Sequence, residues 1–126
     1  MNRKNLHLLI SIAVIIPAAF MYGLFPEKVL PLLLDVSVDS NDVKNVFRVI
    51  MCLYLGIAGI WISGVLRSAY WKFATLLAIV FMGSLSLGRG ISFVIDGQPS
   101  LIFVLGFFGE FILAAFSYRQ FKRYQH

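Results

Sequence analysis

Four long runs of apolar residues leave this chain few folds to choose from. Leu6 to Phe25 contains no acid, lysine or arginine, and Val49 to Leu66 follows Arg48 without another charge. Phe73 to Ile95 is interrupted only by Arg89, and Leu101 to Tyr118 only by Glu110. A helix crosses the ~30 Å hydrocarbon core with about 20 residues, whereas a barrel strand needs only about 9–11. Runs of this length predict helices, which bond all their backbone groups internally and leave no open edge in lipid. The expected fold is an all-α membrane protein: a four-transmembrane-helix up-down bundle. It should form a single domain over residues 1–126, with spans near 6–25, 45–66, 72–95 and 100–121.

Composition agrees with this class. The chain is 60% hydrophobic and 13% charged, against about 45–50% and 25% for a soluble domain. The net charge of +5 does not argue for nucleic acid, because the basic residues sit at the ends of apolar runs and form no soluble basic face. They report orientation instead. Arg3, Lys4, Arg67, Lys72, Arg119, Lys122 and Arg123 fall on one side, and Lys28 and Lys44 on the other, a bias of seven to two. Both termini and the Arg67 to Lys72 turn are therefore expected in the cytoplasm. The long first loop and the Asp96 to Ser100 turn then face outward, and five of the six acids lie in or beside these outer connections. Tyr70, Trp71, Tyr118 and Tyr124 lie where an inner aromatic belt would.

The first run could also be read as a secretory signal, since Arg3 and Lys4 precede it and Pro17-Ala18-Ala19 lies within it. A signal core is about 7–15 residues long, and this run continues through Met21, Tyr22 and Phe25. It is read as a retained first span, kinked at Pro17. In the first outer loop, Val29, Leu30, Leu32, Leu33 and Leu34 are too apolar for a solvated linker. They predict a short interfacial segment bounded or bent by Pro26 and Pro31. Asp39 and Ser40 offer N-cap chemistry for the second span.

Cys52 is the single cysteine, so no intrachain disulfide or cysteine metal cluster can form. It reads as a small buried apolar residue. His7 and His126 lie near the chain ends and cannot face each other as axial haem ligands inside a bundle. No cofactor and no metal-ligand set is read from the chain.

Arg48, Arg89 and Glu110 carry the functional signal. A charge at the centre of a span costs roughly 2.5–3.5 kcal/mol on insertion scales, so such residues usually face a bundle interior or a wet cavity. At ~1.5 Å per residue, Arg89 lies about 10 Å below the outer surface and Glu110 about 13 Å. Arg48 falls in the first turns of the second span, so all three belong to the outer half. Asp96 lies nearly two turns beyond Arg89 on the same face, with Ser92 between them. Ser84, Gly88 and Ser92 form a small-residue stripe that permits close helix approach, and Gly59 and Ser63 extend the theme on the second span. Gly106 and Ala114 leave room around Glu110. Arg48, Arg89, Ser92, Asp96 and Glu110 are thus expected to form one polar cluster reachable from outside.

Three stretches carry a family resemblance: Phe25-Pro26-Glu27-Lys28-Val29-Leu30-Pro31; Phe47-Arg48 with Met51, Tyr54 and Gly56; and Gly88-Arg89 with Ser92, Asp96, Gly97 and Pro99. With Glu110 in the last span, they resemble a bacterial family known as domain of unknown function 4345, over roughly Ile12 to Phe116. Cys52 stands where a small residue, often glycine, is expected. A looser similarity to DoxX-like four-helix proteins carries no chemistry over. The resemblance implies a small four-helix protein of the bacterial inner (cytoplasmic) membrane and brings no activity.

Three functional classes follow. One is a binding or accessory protein, holding an anionic or amphipathic lipid or quinone-like ligand in the outer half of the bundle. Its partners would be the bilayer and a second copy or another membrane protein, and no nucleic acid. Another is a small proton-coupled transporter using Glu110. The third is a purely structural ion-pair network in a subunit of a larger membrane complex. An enzyme is disfavoured, because no nucleophile–base pair, metal set or phosphate loop is present. The charge bias makes the orientation testable: alkaline phosphatase fused after Tyr124 should be inactive, and fused within residues 35–40 it should be active. The opposite pattern would invert the topology.

Overall fold

The structure is a computed structural model, and it describes residues 3–125. His126, one of the two histidines considered above, lies outside the described residues. Among the described residues five α-helices follow one another: α1 (Leu6–Gly23), α2 (Pro26–Leu33), α3 (Asn41–Leu66), α4 (Trp71–Asp96) and α5 (Leu101–Tyr124). Single 3-10 turns, Arg3–Asn5 and Ser68–Tyr70, precede α1 and α4. No strand is present among the described residues. The protein is an all-α bundle in which α1, α3, α4 and α5 are long and apolar enough to cross a membrane.

Local chemistry sets the helix ends. Proline disfavours helical backbone at the residue before it, so α1 stops at Gly23 and Pro26 opens α2 from its first position. Ser40 accepts a hydrogen bond from the Val43 amide at 3.2 Å, which starts α3 at Asn41, earlier than its apolar run begins. Asp39 instead accepts from the Ser37 hydroxyl at 2.5 Å. Gly97 ends α4 at φ +89°, a conformation that L side chains rarely adopt. α1 runs through Pro17 without interruption.

The long helices pack as two pairs, α1 with α3 and α4 with α5, and α3 meets α4 between the pairs. Lipid tails are as apolar as leucine, so close approach and polar contacts hold such helices together. A Cβ added at Gly23 would collide with the Met51 side chain and lie 2.8 Å from the Phe47 carbonyl, so glycine sets the α1–α3 approach. Gly64 does the same for α3 and α4, against the Ala74 side chain.

The two ends of the bundle differ. At the end bearing the chain termini, Leu8, Trp61, Trp71, Ala74, Ala78, Met82 and Leu113 form the main core. His7 is fully buried there, with Nε2 2.8 Å from the Thr75 hydroxyl and its ring edge-on to Trp71 and Phe116. The Trp71 indole donates to the Lys4 carbonyl at 3.1 Å, and the Gln120 amide donates to the Arg3 carbonyl at 2.6 Å. These bonds tie the start of the chain to α4 and α5. At the other end, called here the loop end, the core shrinks to Tyr22, Leu30 and Leu34, with α2 supplying Leu30. Leu32, on the same short helix, is 82% exposed.

Two expectations about helix faces are corrected. Cys52 is exposed, because the inward stripe of α3 runs through Tyr54, Ala58 and Trp61. The stripe of Ser84, Gly88 and Ser92 does not seat a neighbouring helix. A Cβ at Gly88 would meet nothing within 4 Å, and Gly59 is equally open. α4 approaches α5 through the adjacent face, where Gly90 lies against Phe107 and Ser86 donates to the Phe107 carbonyl at 3.3 Å.

Overpacking a close contact costs roughly 1–3 kcal/mol. Gly23→Val should lose about that much stability in detergent unfolding, while Gly56→Ala, which has no atom within 4 Å of its Cβ, should change it little. Equal effects would remove Gly23 from the contact.

Candidate functional site

Arg89 projects from α4 toward α5, where Glu110 receives it. The guanidinium binds side-on, Nε to Oε1 at 2.6 Å and Nη2 to Oε2 at 3.2 Å. It is the one salt bridge among the described residues, and its side chains are only 20% and 11% exposed. Two parallel N–H···O contacts fix orientation as well as distance. Gly106, one turn before Glu110, makes room for the arginine: a Cβ there would lie 3.3 Å from Arg89 Nε. Phe103, a turn earlier still, lies under the guanidinium, with its ring centre 4.9 Å from Cζ. The sequence Phe103, Gly106, Glu110 thus presents a flat ring, a gap and a carboxylate along one face of α5, and Arg89 occupies all three.

Arg89 borders a cavity of about 420 Å³ between the two helix pairs at the loop end, with Glu110 behind it. Tyr22 comes from α1, Phe47 and Tyr54 from α3, Ser84, Gly88, Arg89 and Ser92 from α4, and Phe103 from α5. Tyr22 stacks on Phe47, their ring centres 5.9 Å apart, and meets Tyr54 edge-on. The walls are therefore largely aromatic, with the Arg89 guanidinium as the cationic group among them. Ser84 and Gly88 are exposed and lie at the mouth.

The other expected cluster members are placed differently. Ser92 lines the cavity, and its hydroxyl donates to Asp96 at 2.8 Å. Asp96 is exposed and bonds Ser92, not Arg89. Arg48 is turned to the outside of α3. Its Nη1 donates to the Gly23 carbonyl at 2.9 Å and to the Leu24 carbonyl at 3.2 Å. Those carbonyls end α1, where the helix dipole favours a cation. Arg48 therefore caps α1, while Arg89 pairs with Glu110 without it. Tyr22 and Phe103 had not been singled out from the sequence. Tyr22, a phenol inside an uncharged run, was the available signal.

Together these features define a small multi-pass helical membrane protein with a part-buried ion pair beside an aromatic cavity. The chain belongs to the family described as Domain of unknown function (DUF4345), whose model matches residues 4–119. Comparison with curated proteins and with solved structures finds no match.

Breaking a buried ion pair by removing one partner costs about 3–5 kcal/mol, because the other charge is stranded, whereas replacing both is far milder. Arg89→Met and Glu110→Leu should each destabilise the protein by about 3 kcal/mol, and the double variant by less than either. Strict additivity in reversible unfolding would mean that the pair is not coupled.

Proposed function

We propose that this is a bacterial inner-membrane binding or accessory protein. Its loop-end cavity holds an amphipathic, lipid-like molecule, with the polar head beside Arg89 and Glu110 and the tail toward the bilayer. Both termini lie in the cytoplasm and the cavity lies in the outer half, as the charge bias supports. The observation that carries this reading is the coincidence of the ion pair with the aromatic space. A pair needed only to pin α4 to α5 has no use for a cavity of 420 Å³ beside it, a volume within the roughly 300–1,000 Å³ of small-molecule sites. The exposed mouth at Ser84 and Gly88 supplies a way in from the side.

A second reading keeps the pair purely structural and makes the chain a subunit of a larger membrane complex. The observation on its side is that both hydrogen bonds of Glu110 stay within the α4–α5 pair. Native mass spectrometry of protein released directly from its own membranes separates the two. Wild type should retain a small-molecule adduct that is lost from Glu110→Gln protein of unchanged helicity. Identical adduct profiles would overturn the binding reading.

A further inference from the structure

The cavity also constrains the kind of head it can hold, and this step rests on the binding reading above. With Arg48 and Arg89 in one cluster, an anionic ligand would be the natural choice. The geometry removes that argument. Arg48 caps α1 and does not line the cavity, and Arg89 is already matched by Glu110. Arg89 is the only lysine or arginine lining the cavity. A phosphate or carboxylate entering here would gain one guanidinium and meet the Glu110 carboxylate directly behind it. Coulomb energy falls only as 1/r, so this more distant repulsion still offsets much of the attraction.

An uncharged acceptor avoids this conflict. Nε and Nη2 hold the carboxylate, and Nη1 takes no part in that contact; the Tyr22 hydroxyl is the guanidinium's other polar neighbour in the cavity wall. A ring carbonyl can accept from a guanidinium that keeps its counter-ion. The walls favour a flat partner for a separate reason. Phe47, Tyr54, Tyr22 and Phe103 surround the space, and aromatic faces pair best with other rings, stacked or edge-on. Gly88 leaves the mouth open where a tail would leave between α3 and α4.

We infer that the cavity takes an uncharged, planar, carbonyl-bearing ring on an apolar tail, a quinone-type head, in preference to an anionic lipid headgroup. The inference concerns binding and includes no electron-transfer step.

The test uses the full chain in phosphatidylcholine nanodiscs and three probes with one tail length: decylubiquinone, decyl phosphate and n-decanol. Isothermal titration should find decylubiquinone binding one per chain, with decyl phosphate at least about tenfold weaker. Gly88→Phe and, independently, Ser84→Phe close the mouth from open positions and should each weaken decylubiquinone by about tenfold or more. Decyl phosphate binding as tightly as decylubiquinone would overturn the ligand class and leave the binding reading standing. Decylubiquinone binding no better than n-decanol, with decyl phosphate equally weak, would overturn both. Tight decylubiquinone binding unaffected by both mouth variants would place the ligand elsewhere and overturn the assignment to this cavity.

Discussion

The Arg89–Glu110 pair is the constraint on which the loop end of this protein depends. Each charge alone would be a liability in a helix built to sit in lipid. Joined side-on, they are matched mainly within the α4–α5 pair, with the Tyr22 hydroxyl of α1 as a further neighbour of the guanidinium. The gap between the two helix pairs at this end is lined mainly by rings, with the Tyr22 hydroxyl reaching the guanidinium across it. Gly106 and Phe103 belong to the same device, since one leaves the space for the guanidinium and the other supplies the surface it rests on.

Much of the fold was legible in the sequence, because hydropathy reads length well. Four runs of about membrane length gave four long helices, and Pro26 and Ser40 marked ends that the structure keeps. The pairing of Arg89 with Glu110 was also within reach: opposite charges at compatible depths on adjacent spans have few other partners. What hydropathy cannot read is direction around the helix axis. In a membrane the lipid-facing side of a helix is as apolar as the core side. Cys52 therefore looked buried and is exposed. Arg48 follows Phe47 by one residue, about 100° around the helix. Since Phe47 faces the cavity, Arg48 turns away, and its depth alone carried no hint of that.

The small residues teach the same lesson. Glycine and serine at intervals of four can mark a helix contact or a deliberate absence of side chains. On α4 both occur on neighbouring faces: Gly90 and Ser86 lie against α5, while Gly88 and Ser84 open onto empty space. Spacing predicts the stripe, and only the position of the neighbouring helix says which purpose it serves. His7 is a further case. Its place near a chain end assigns it no packing partner, yet the first turn folds under α4 and α5, so its ring is enclosed by Trp71, Phe116 and Thr75.

The contrast between the two ends gives the molecule the mechanics of a clothes peg. Gly64 against Ala74 and the bonds from Trp71 and Gln120 to the first residues hold the terminal end shut. α3 has 26 residues, so at ~1.5 Å each it is a lever of nearly 40 Å. A small rotation at that closed end becomes a much larger displacement at Phe47 and Tyr54. The width of the aromatic cavity is thus set in part by residues that never touch it.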